Sequence, residues 1–166
     1  MELPLIILGL GNKILGDDGA GILVAERLKK RLQNIPQIKV DTTSLGGLRI
    51  IDLIKDYNSA IIIDTIKSGM KPAGHIYMFS HKNFINSLRM VSYHDINFCT
   101  AIEFAKKMNI QMPKEIFIYA IEAKQIDVFT YKINREIKTA IDICTEKIVS
   151  FIEKEFNLKS TEVATN

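Results

Sequence analysis

Short uninterrupted apolar runs alternate along the chain with longer segments in which apolar residues recur every three or four positions. The first pattern suits a strand covered on both faces, the second a helix with one buried side. Leu5-Ile6-Ile7-Leu8 is such a run, closed by Gly9. From Ala20 a helix is predicted by Val24, Leu28 and Leu32, with Glu26, Arg27, Lys29 and Lys30 around its other side. Ile38 and Val40, flanking Lys39, predict a second strand, and Leu48 to Lys55 a short helix after Gly46-Gly47. Ala60-Ile61-Ile62-Ile63 is a third strand that ends at Asp64. Gly74 to Phe79, following Pro72, reads as a strand at a sheet edge. Phe98, Ala101, Ile102 and Ala105 mark a helix beginning just beyond His94, and Ile116 to Ala120 supply a fifth strand. Ile137, Ile141, Cys144, Ile148 and Ile152 form one stripe of a last helix, with Asn134 as its candidate cap.

This alternation predicts an α/β fold: a single domain with a mostly parallel, five-stranded twisted sheet flanked by helices on both faces. The domain is expected to span residues 1–157, and the polar tail 158–166, which lacks periodicity, to fray. A length of 166 residues fits one domain.

Composition narrows the function classes. Hydrophobic residues make up 47% and charged residues 25%, an ordinary globular balance. The net charge of +3, from 22 basic and 19 acidic residues, is too mild for a phosphate-backbone footprint, so no nucleic acid partner is expected. Membrane insertion is not expected either, because no apolar run approaches the roughly 20 residues a span needs. Cys99 and Cys144 fit neither a CxxC nor a disulfide framework and read as small buried hydrophobes of a reducing compartment. Together with an N-terminus that lacks a basic region and cleavage site, this gives a cytoplasmic expectation.

The densest chemical signal lies between the first strand and the first helix, in Gly9-Leu-Gly-Asn-Lys-Ile-Leu-Gly-Asp-Asp-Gly-Ala-Gly21. A carboxyl end of a strand in an open α/β sheet is where ligands gather. A dinucleotide fingerprint would need glycine at Ile14, and the lysine-ending phosphate loop is missing, so no nucleotide cofactor is expected. The loop offers two carboxylates instead. Asp17 reads equally well as a cap for free amides at the helix start. With one cap sufficient, Asp18 is the better candidate to enter the crevice. Asp64 follows three isoleucines at a strand end and faces the same crevice, unless it only caps the turn at Thr65. His94, in Ser92-Tyr93-His94-Asp95, is the best placed of three histidines; His75 and His81 sit in or beside the fourth strand. Two carboxylates and an imidazole suit a borderline divalent ion such as nickel or zinc, with positions open for further ligands.

The Gly9 to Gly21 stretch resembles the N-terminal signature of the hydrogenase maturation proteases, the endopeptidases of nickel-iron hydrogenase biosynthesis. The segment Thr43 to Gly47, the strand ending at Asp64, His94 before a helix and the strand from Ile116 follow in the family's order, so that the resemblance covers about residues 3–153. It implies an endopeptidase that removes the C-terminal extension of a nickel-iron hydrogenase large-subunit precursor once nickel is inserted. By position it assigns metal binding to Asp18, Asp64 and His94, with the nickel supplied by the substrate, and makes Gly46 and Gly47 candidate substrate-binding residues. Many relatives carry an aspartate and paired glycines in this second glycine region. Here the stretch is Asp41-Thr-Thr-Ser-Leu-Gly46-Gly47, which sets Asp41, the candidate for assisting cleavage, one residue off. An assembly or checkpoint protein that recognises nickel without cleaving is the alternative this shift leaves open.

Overall fold

The computed structural model describes residues 5–80 and 101–157. Strands β1 (Leu5–Leu10), β2 (Ile38–Thr43), β3 (Ser59–Ile66), β4 (Ile76–Ser80) and β5 (Glu115–Glu122) form one sheet in the order β2-β1-β3-β5-β4. All neighbours pair in parallel except β4, which runs antiparallel to β5 at the edge, where the sequence pattern puts it. Helix α1 (Ala20–Arg31) joins β1 to β2, α2 (Leu48–Ile54) joins β2 to β3, α3 covers 101–107, and α4 (Arg135–Glu155) follows β5.

Successive side chains of a strand point to opposite faces, so the continuous apolar runs feed two separate cores. Ile7, Ile61, Ile63, Tyr119 and Ile121 pack under α1 and α4. Ile6, Leu8, Ala60, Ile62, Ile116 and Ile118 pack against Ile50 and Ile54 of α2 and Ile102 of α3. Arg27 pairs with Asp142 and Arg31 with Glu146, fastening the exposed flanks of α1 and α4.

Several strand ends differ from the sequence pattern, those of β3 and β4 with the most bearing on the site. β3 continues two residues past Asp64, because its ladder with β5 persists through Thr65↔Ile121 and Ile66↔Glu122 after the isoleucine run has ended. β4 starts at Ile76 and leaves Gly74 in the preceding turn, where its amide donates to the Glu122 carbonyl at 2.8 Å. His81, His94, Cys99 and the 158–166 tail lie outside the described residues. No helix among the described residues is long and apolar enough to cross a membrane.

From β1 the chain passes outward to β2 on one side, whereas β3 lies on the other. The connections leaving the carboxyl ends of β1 and β3 therefore part company there, and such a switch point opens a crevice above the strands.

Candidate functional site

The first loop is shaped by close packing. Gly21 lies where α1 crosses the ends of two strands, and a Cβ there would stand 2.4 Å from the Leu10 carbonyl oxygen and 2.5 Å from that of Ile63. Gly11 has φ +138°, and its Cβ would fall 1.9 Å from the Asp18 carbonyl oxygen. These glycines let the loop and helix lie directly on the sheet. The side chain of Asn12 accepts from the Ile14 amide at 3.1 Å, and a 3-10 turn at Gly16–Gly19 leads into α1.

That turn sends the adjacent aspartates to different partners. Asp17 is 1% exposed and accepts three hydrogen bonds from the segment between β5 and α4. The donors are the amides of Gln125 (3.2 Å) and Asn134 (2.9 Å) and the Asn134 side-chain amide (2.7 Å). Asp17 does satisfy free amides, as the capping reading requires, but they belong to a remote loop and the N-cap of α1 is Gly19. Asn134 does stand at the N-cap of α4, although its side chain serves Asp17 and makes no cap bond within its own helix. Gln125 carried no signal in the sequence and Asn134 only that of a helix cap, because a partner more than a hundred residues away leaves no local pattern.

Asp18, 8% exposed, accepts a hydrogen bond from the Thr65 hydroxyl at 3.1 Å. The first loop is thus tied to the end of β3, one residue beyond Asp64. Asp64 is half-buried within β3, and its Oδ1 accepts from the Thr65 amide at 2.8 Å. Strand alternation places Asp64 on the face of Ala60 and Ile62, the face covered by α2 and α3. Thr65 takes the α1 and α4 face. The carboxylates of Asp18 and Asp64 therefore reach the switch point from opposite sides of one strand end. Sequence reading missed Thr65, whose only mark is its place after Asp64.

Asp41 sits inside β2 opposite Leu8, which in turn faces Ile62. Two strand spacings and two residues of rise separate it from Asp64, a Cα distance of about 12 Å. Its Oδ1 accepts from the Thr42 amide at 2.9 Å. The Tyr57 hydroxyl is held above its usual range, first by burial and then by the negative charges of Asp41 and Asp56. Gly46 and Gly47 stand in the open, with nothing within 4 Å of a Cβ at either, and Gly47 takes φ +64° as it starts α2. His94, the remaining candidate ligand, is outside the described residues; α3, on the same face as Asp64, begins by residue 101.

A family model described as hydrogenase maturation protease matches residues 22–151. The chain belongs to that family. The match begins after the glycine-rich loop, so it stands independently of the stretch that first carried the resemblance. As a hydrogenase maturation protease the chain is a peptidase. It is similar to the hydrogenase expression/formation protein HoxM of Cupriavidus necator, with 23% identity over 86% of this chain and 70% of the relative. A putative hydrogenase maturation protease of Methanocaldococcus jannaschii is 26% identical over 90% of this chain and 89% of its own length. Among solved structures, the hydrogenase maturating endopeptidase HybD from Escherichia coli superposes with a TM-score of 0.80, covering 91% of this chain and 93% of that one at 15% identity. The HybD maturation protease of Thermococcus kodakarensis superposes with a TM-score of 0.71 at 23% identity, over 89% and 98% of the two chains. At such identities the superpositions speak for the fold.

Proposed function

We propose that this protease removes the C-terminal extension of a nickel-iron hydrogenase large-subunit precursor, and that Asp18, Asp64 and His94 hold the nickel already carried by that substrate. The observation that supports the reading is that Asp18 and Asp64 both accept from Thr65, the first from its hydroxyl and the second from its amide, at the end of β3 beside the switch point. Hard carboxylate oxygens with one imidazole make an incomplete set for nickel, and thiolates of the substrate would complete it. The metal then bridges the two proteins, and a nickel-free precursor binds poorly. Asp41, about 12 Å from Asp64 by strand geometry, would reach the peptide away from the ion if it assists cleavage at all. We place the reaction in the cytoplasm, on the cysteine usage and N-terminal pattern of the sequence.

The test mixes the protein with nickel-loaded and nickel-free precursor from the same organism and follows release of the tail peptide by mass spectrometry. Cleavage confined to the loaded form is expected. Equal cleavage of both forms would overturn metal recognition, and tight binding of the loaded form without cleavage would favour the checkpoint alternative. Asp18→Asn, Asp64→Asn and His94→Ala are each expected to abolish tail release while circular dichroism stays native. A variant that still releases the tail at the wild-type rate removes its residue from the site.

A further inference from the structure

The segment between β5 and α4 is fastened to the loop that carries Asp18. The Gly16 amide donates to the Thr130 carbonyl at 2.7 Å and the Thr130 amide to the Ile14 carbonyl at 2.9 Å, beside the three bonds accepted by Asp17. This forms a short parallel bridge between Leu15 and Thr130. Thr130 turns inward, its methyl close against Gly16. Strand alternation then throws its neighbours outward. Phe129 is 81% exposed and Tyr131 80%.

A pinned backbone holding two large aromatics in water is costly unless something covers them, and such anchors mark protein interfaces. They have apolar company: Ile14, Leu45, Leu48 and Met70 are also exposed, each on a connection at the carboxyl edge of the sheet. Charges of both signs lie around them. Beside this loop, Lys67, Lys71 and Lys124 line a cleft of about 490 Å³ together with Glu122 and Glu136. Lys67 reaches Asp127 at 3.5 Å, while among the described residues no carboxylate lies within ion-pair distance of Lys71, Lys124 or Lys132. Glu122 itself is spent inside the protein, accepting from Ser68, Gly69 and Tyr77.

We propose that the loop 123–134 is the docking surface for the precursor protein, with Phe129 and Tyr131 as apolar anchors and Lys71, Lys124 and Lys132 facing acidic residues around the precursor's metal region. The inference rests on the reading above and names the part of this chain that seats that substrate. Because the loop is latched to the Asp18 loop, a precursor seated on Phe129 and Tyr131 is held in register with the carboxylates.

The experiment measures both binding of the nickel-loaded precursor by interferometry and its cleavage over a range of concentrations. It compares wild type, the double variant Phe129→Ser with Tyr131→Ser, and Lys124→Glu. Both aromatics are exposed, so the double variant should keep the wild-type melting temperature. Its Kd and KM are expected to rise about tenfold or more, with the loss carried by KM and not by kcat. Lys124→Glu should raise KM at low salt and converge on wild type at high salt. An unchanged Kd in the double variant overturns the docking surface even where wild type cleaves normally. Weakened binding by the double variant, with a wild type that never cleaves, supports the surface and counts against the endopeptidase reading alone. Sedimentation of the protein by itself is the last arm: a wild-type dimer that the double variant dissolves would make this face a self-association surface and overturn the proposal.

Discussion

Asp17 and Asp18 are neighbours of identical chemistry, yet the fold gives one a structural duty and the other a place beside Asp64. The sequence favoured Asp18 for the crevice on the argument that one cap suffices, and Asp17 is indeed consumed by amides. What stayed hidden was whose amides they are, since Gln125 and Asn134 come close only after the sheet has formed. The cost of losing Asp17 is correspondingly larger than for a surface cap. Asp17→Ala strands two backbone amides and a side-chain amide in a part-buried setting and is expected to destabilise by about 3 kcal/mol. Thermal denaturation should show a melting temperature roughly 10 °C lower. A loss below about 1 kcal/mol, the scale of an ordinary cap, would contradict the latch.

At the scale of elements, the strand cores were legible because parallel strands covered on both faces read as unbroken apolar runs. Their ends were not. Thr65 and Glu122 are polar, yet both lie in strands because the β3 and β5 ladder and local side-chain bonds satisfy them. The glycine-rich first loop was read as a place where ligands gather, and within it Gly21 serves the close crossing of α1 over β1 and β3. Gly21→Ala would force a methyl against two carbonyl oxygens and lift the helix, for an expected loss of about 2 kcal/mol or more measured by urea denaturation. A neutral outcome would mean that the helix does not lie so close. The last helix was the plainest element of all, its stripe of Ile137, Ile141, Cys144, Ile148 and Ile152 buried as the spacing requires.

For the whole molecule, fold class, strand count and the edge position of β4 could be read from the alternation of patterns, while strand order and the switch point are products of three-dimensional pairing. Of the site, the structure shows that Asp18 and Asp64 both accept from Thr65, and His94 remains a candidate on resemblance. Core packing also sets a pH limit. Burial pushes the Cys144 thiol from 9.0 to about 12, slightly opposed by Lys147. The native thiol stays protonated while the unfolded chain ionises from about pH 9, so this contribution is complete below pH 9 and is lost as pH climbs toward 12. In a Cys99→Ser background, Cys144 should resist a thiol reagent at pH 8 until denaturant is added. Rapid labelling of the native protein would show that the α1 and α4 core opens readily.

The bonds to Asp17 also order events in time. A chain synthesised from its N-terminus presents this carboxylate early, but its amide donors arrive only with residues 125 and 134. Until then the first loop lacks its fastening, however much of the sheet has assembled. The nascent protease therefore cannot fasten its Asp18 loop before most of its own translation is complete.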